Sequence, residues 1–196
     1  KKINKDVKII EKGYPRNDFL FNYTNEEADS IKSKLGIDMN DKRKIALYAP
    51  TWRDNQHTTG LGYTYQLCAD FDKWLKELSD KYIILFRTHY FIANSFDFDK
   101  YKGFIYDVSS YDDINHLYVI SDILITDYSS VFFDYANLKR PMLFYMYDLK
   151  EYQNRLRDFY FDLSELPGDI FEDECSLIDA LSDFDFDQNS YYDERY

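Results

Sequence analysis

Short apolar runs alternate along this chain with segments of helical periodicity. Val7–Ile10 reads as a strand that breaks into a turn at Gly13-Tyr14-Pro15. "TNEEADSIKSKLGI" then offers Thr24 or Asn25 as an N-cap, acids in the first turn, Ala28, Ile31 and Leu35 on one face, and Gly36 as a stop. "KIALYAP" has the continuous apolar run of a strand covered on both faces, and a loop from Thr51 to Tyr63 follows it. "DFDKWLKEL" places Phe71, Trp74, Leu75 and Leu78 at helical spacing, ahead of a second buried strand at Tyr82–Phe86. "GFIYDVSS" is a third strand, "DINHLYVIS" a helix, "DILITDYSS" a fourth strand, "VFFDYANL" its helix and "RPMLFYMYD" a fifth strand. After Tyr147 the pattern loosens into a loop, and a last helix is expected at Cys175–Leu181.

This alternation predicts an α/β fold: a Rossmann-like parallel sheet flanked by helices. Residues 1–182 are expected to form one nucleotide-binding domain, and 183–196 an acidic connector. The chain opens on "KKINKDVK" and ends on "SYYDERY", which suggests a piece of a longer protein.

In a parallel sheet all strand C-termini share one rim, and ligands bind there. The expected rim carries Thr51-Trp52-Arg53, Arg87-Thr88-His89, Asp107-Val108-Ser109 and Thr126-Asp127-Tyr128-Ser129-Ser130. A helix starting near Ser129 would present unpaired N–H groups to an anion, with the Ser129 and Ser130 hydroxyls either capping the helix or donating to phosphate. Arg53 and Arg87 can converge on one phosphate from separate strands, or serve as ordinary surface arginines. His89 suits a donor to a phosphate, or an acid on a leaving phosphate oxygen. Asp134, one turn beyond Ser130, can accept from a ligand hydroxyl or pair with Arg140; Asp127 can fix its own loop or touch ligand. His57 and His116 are weaker candidates.

Charge narrows the choice. Lys plus Arg total 24 and Asp plus Glu 36, a net of −12, which disfavours nucleic acid and a polybasic membrane anchor. Phosphate contacts must come from local features. Cys68 and Cys175 have no CxxC or His partner nearby. The Asp-x-Asp string at Asp183, Asp185 and Asp187 reaches Glu194 at calcium-loop spacing, but Gln188 stands where that loop needs Gly, so no metal is expected.

Five motifs in order carry a resemblance: "GYPRND" at Gly13–Asp18, "YAPTWRD" at Tyr48–Asp54, "RTHY" at Arg87–Tyr90, "TDYSSVFFDYANLKRPMLFY" at Thr126–Tyr145, and "RDFYFDLSELPG" at Arg157–Gly168. Together they resemble the CDP-glycerol glycerophosphotransferases of teichoic acid synthesis. The resemblance implies the C-terminal, donor-binding half of a GT-B fold and transfer of a polyol phosphate from a CDP-polyol to a lipid-linked acceptor, with CMP leaving. It implies His89 as the catalytic residue, with Arg87, Ser129 and Ser130 around the pyrophosphate and Asp134 near the polyol or ribose. From their places on the rim, Arg53 and Thr126 are expected to join the pyrophosphate contacts and Asp127 the polyol or ribose. No cofactor is implied. The partners would be the donor, the acceptor and an N-terminal GT-B domain that brings the base, all at the cytoplasmic face of a bacterial plasma membrane with the protein peripheral. Tyr90 stands where the family often has Pro, Asp158 replaces the usual Gly before "FYF", and Asp169 replaces the usual Pro after "PG". Rival readings are a GT-B transferase using a UDP-sugar, a non-catalytic nucleotide-binding module, and, more distantly, a receiver-like domain.

Overall fold

The strands of this chain stack in an order that puts the first of them at the centre. A computed structural model describes residues 13–51, 57–58, 62–63, 69–88, 97–152 and 162–187. Its main sheet joins β1 (Lys44–Ala49), β4 (Tyr82–Phe86), β5 (Ile105–Asp107), β6 (Ile123–Thr126), β7 (Met142–Tyr145) and β8 (Asp169–Phe171). Across the sheet they run β5-β4-β1-β6-β7-β8, every pairing parallel. Counted in chain order within this sheet, that is the 3-2-1-4-5-6 sequence of a doubly wound nucleotide-binding fold, with its switch point between β1 and β6. A separate antiparallel pair, β2 (His57–Thr58) and β3 (Gly62–Tyr63), lies within the expected loop.

Alternation within each buried strand splits the core in two. On one face Ile45, Leu47, Ile83, Leu85 and Leu124 pack with Leu20 of α1 (Phe19–Asn22), Ile31 of α2 (Asn25–Lys34), Leu117 and Tyr118 of α4 (Ile114–Ile120), and Phe132 and Tyr135 of α5 (Val131–Tyr135). On the other, Ala46, Tyr48, Ile84, Phe86, Ile123 and Ile125 pack with Phe71, Trp74 and Leu78 of α3 (Phe71–Leu78) and with Leu177, Ile178 and Leu181 of the last helix (Glu174–Ser182). This double coverage explains why the strand sequences are almost wholly apolar.

Local chemistry sets several boundaries. Thr24 caps α2 through a reciprocal box: its hydroxyl accepts from Glu27 N at 3.2 Å, and the Glu27 carboxylate accepts from Thr24 N at 2.8 Å. Gly36 follows with φ +74°, a left-handed stop that suits glycine. Asp70 and Asp113 cap α3 and α4. Arg140 closes the other end of α4, donating to the Val119 and Ser121 carbonyls at 2.8 and 2.6 Å, where a cation meets unpaired acceptors.

Three features depart from the expectation. The turn at Gly13-Tyr14-Pro15 leads into a 3-10 turn (Pro15–Asp18) and α1. A sixth strand, β8, extends the sheet beyond β7. The start of the acidic stretch takes part in packing: Phe184 and Phe186 lie against the core, with the Phe186 ring 6.3 Å from Tyr82 and beneath the Lys44 ammonium at 4.8 Å. The expected strand at Val7–Ile10 lies outside the described residues.

Candidate functional site

Because every strand of the main sheet is parallel, Pro50-Thr51, Arg87-Thr88, Val108-Ser109 and Asp127–Ser130 do share one rim. The centre of that rim is a latch across the switch point. Asp127, 2% exposed, accepts from Thr51 N at 2.8 Å, from the Thr51 hydroxyl at 2.5 Å and from Tyr128 N at 2.6 Å. A carboxylate so engaged fixes the ends of β1 and β6 to one another and is not presented to a ligand as the polyol reading required. Thr126 also departs from the expectation. It is fully buried, and its hydroxyl donates to Ala49 O at 2.8 Å, so it braces the rim from beneath and does not reach a phosphate.

Ser129 and Ser130 form the lip above this latch. The Ser129 hydroxyl lies 3.5 Å from Val131 N, and Ser130, exposed and with helical φ and ψ of −65° and −2°, opens α5 without a side-chain cap. Tyr128 turns away from them: its hydroxyl donates to Asp148 at 3.0 Å and its ring stacks on Tyr152 at 3.6 Å. The serines are therefore left at the mouth of the crevice while the side chains around them are tied down.

Arg87 emerges from β4 beside the latch. Its Nη1 donates to Val108 O at 2.9 Å and Tyr111 O at 2.7 Å, which holds the loop between β5 and α4. Burial pulls its guanidinium below the ordinary arginine value, opposed by Tyr118 and Asp113, yet an arginine stays charged. A phosphate contact from Arg87 must use its other nitrogens. Next to it Thr88 N donates to Ser109 Oγ at 3.1 Å, tying the two loops together.

Asp134 does not pair with Arg140. Its carboxylate accepts from Arg16 Nη2 at 3.2 and 2.9 Å and from Asn17 Nδ2 at 2.7 Å, both from the 3-10 turn near the start of the chain. Arg140 is drawn instead to the carbonyls ending α4 and to Tyr23 OH at 2.8 Å. Asn115 completes the junction by donating to Arg16 O at 2.9 Å. Tyr118 stands nearby in full burial, which pushes its phenol well above the usual tyrosine range, Asp134 adding to the effect. Sequence reading missed this node. The available signal was "GYPRND" itself, with an arginine and an amide beside a proline suited to open a helical turn.

Arg53 and His89 lie outside the described residues. His57 sits on β2, and His116 on α4 has its Nδ1 3.2 Å from Tyr111 OH. Among the described residues no group of three or more His, Cys, Asp or Glu side chains is placed to hold a metal ion.

A rim so built, closed from below and open at two serines, suits a phosphate-bearing ligand, and comparison with known proteins narrows the field. Residues 3–196 match the family model described as CDP-Glycerol:Poly(glycerophosphate) glycerophosphotransferase. The chain belongs to this family. It is 50% identical over 175 residues to the teichoic acid poly(glycerol phosphate) polymerase of Bacillus subtilis (strain 168), covering 88% of this chain and 23% of that protein. It is 45% identical over 191 residues to the teichoic acid glycerol-phosphate transferase of Staphylococcus aureus (strain NCTC 8325 / PS 47), covering 96% and 48%. The solved wall teichoic acid polymerase TagF superposes with a TM-score of 0.83 at 43% identity, covering 95% of this chain and 45% of that one. A histidine-to-asparagine variant of that enzyme, soaked with CDPG, superposes with a TM-score of 0.81. The chain thus spans less than half the length of these relatives.

Proposed function

We propose that this chain binds the nucleotide donor of a CDP-glycerol glycerophosphotransferase, which passes glycerol phosphate to a lipid-linked teichoic acid or similar cell-surface polymer and releases CMP. The observation that carries the reading is the latched rim between β1 and β6, with Ser129 and Ser130 at its mouth, in a member of this family. Glycerol is favoured over ribitol, because identity falls from 50% with a poly(glycerol phosphate) polymerase to 38% with a poly(ribitol-phosphate) polymerase.

In this reading the acceptor hydroxyl oxygen attacks the phosphorus that carries glycerol. A new phosphate ester bond forms, the bond to the bridging oxygen breaks, and CMP departs with that oxygen. The acceptor proton passes to a base in the remainder of the enzyme. From this chain come the anchoring of the pyrophosphate at the Ser129-Ser130 lip, with Arg53 and Arg87 as its cations, and His89 as the acid at the leaving oxygen. Positioning the two phosphates against the acceptor is itself a large part of catalysis, and a rim held by buried hydrogen bonds provides it without reorganisation. The reading places the enzyme peripherally at the cytoplasmic face of the membrane; no described helix is long and apolar enough to cross one.

The test is a transfer assay on the full-length protein with radiolabelled CDP-glycerol and a lipid-linked glycerol phosphate primer, beside a UDP-sugar. CMP released in step with label entering polymer is the expected result. Uptake from the UDP-sugar alone would replace this reading with its nearest rival.

A further inference from the structure

Arg16 occupies the place beside Asp134 that sequence reading gave to Arg140. The helix α4 leaves β5 and α5 leaves β6, so in an all-parallel sheet both helices begin at the rim. Asn115 in the first turn of α4 holds the Arg16 carbonyl, and Asp134, one turn into α5, holds its guanidinium. The connection from β5 to β6 passes over β4 and β1, and α4 packs on Leu47 and Ile45 of β1, while α5 packs beside β6. Arg16 therefore sits at the rim end of the sheet, between the starts of α4 and α5.

The guanidinium is oriented but not covered. One nitrogen, Nη2, makes both contacts to the Asp134 carboxylate, and the plane lies 4.4 Å from the Tyr14 ring centre. Even so, the Arg16 side chain is 58% exposed, against 11% for its partner. Asp134 is in turn fixed by buried Asn17. A forked donor locked at one nitrogen and solvent-facing elsewhere is preorganised for an oxyanion. Its surroundings are polar beyond what the protein itself satisfies: Asn17 Oδ1, Asn115 Oδ1 and Tyr118 OH are buried without a hydrogen-bond partner among the described residues.

We propose that Arg16 is a phosphate-binding residue of the donor site and that Asp134 is the positioning residue that aims it. The ligand class is a nucleoside diphosphate ester, and the inference rests on the CDP-glycerol reading above. It reassigns Asp134 from ligand contact to support, and it adds a cation to a rim where Arg87 has committed Nη1 to backbone carbonyls.

Steady-state kinetics of the full-length protein with Arg16→Ala, Arg16→Lys and Asp134→Asn test it, with CDP as a competitive inhibitor and the melting temperature as a check on folding. Loss of a charged hydrogen bond predicts that Arg16→Ala weakens CDP inhibition and lowers kcat/KM for CDP-glycerol by about 10- to 100-fold, the acceptor KM unchanged. Arg16→Lys should recover part of this loss, and Asp134→Asn should reproduce part of it. An Arg16→Lys protein that melts like the wild type and keeps wild-type donor kinetics, alongside an unaltered Arg16→Ala, would overturn the assignment; so would a change confined to the acceptor KM. A wild-type protein inert toward CDP-glycerol would instead overturn the donor reading itself.

Discussion

At Asp127 the Thr51 N–H, the Thr51 hydroxyl and the Tyr128 N–H converge on one buried carboxylate. Removing it leaves those half-buried donors without their acceptor, so Asp127→Ala should cost about 1–3 kcal/mol in urea unfolding. Asp127→Asn, which keeps one acceptor oxygen, should cost less. A loss below about 0.5 kcal/mol for the alanine variant would show that the loop does not depend on this latch. The residue-level lesson is one of partners. Sequence placed the acid, the two serines and Arg87 at strand ends, which the parallel sheet puts on one rim. It did not show that Thr126 points inward to Ala49 O, nor that Asp134 reaches back over more than a hundred residues to Arg16 and Asn17. Side-chain direction at a strand terminus follows from the register, and long-range pairing from the tertiary fold; neither is periodic in the chain.

Elements were legible in proportion to their length and coverage. The buried strands β1, β4, β6 and β7 announce themselves as unbroken apolar runs, and α2 by its capping box and glycine stop. The short 3-10 turn and α1 have too few residues to show a period, and β8, three residues with one exposed, has no alternation to read. The clue to β8 was Gly168. A Cβ built at this position would stand 2.0 Å from Met142 O, so only glycine allows the chain to pass the start of β7 and pair Asp169 with Leu143. Gly168→Ala should force the edge strand off β7 and destabilise the fold by about 1–3 kcal/mol, read by thermal or urea denaturation. Wild-type stability, with β8 amides as protected from hydrogen exchange as before, would contradict that account.

At the scale of the whole molecule the strand order decides where function resides. With β1 central and the winding reversed beside it, the β1/β6 switch point is where a doubly wound sheet of this order is expected to take its ligand. In a chain of net charge −12 the proposed donor site depends on local contacts at that rim, for which Arg16, Arg87, Ser129 and Ser130 are the proposed groups. Hydrogen exchange of the full-length protein with and without CDP-glycerol tests this most directly. Slowed exchange is expected at Thr51, Thr88 and Tyr128–Val131 around the rim, and none at Lys42–Lys44 or Lys81 at the opposite strand ends. Protection at those opposite ends, or a bound donor that leaves the amides of Tyr128–Val131 unchanged, would contradict it.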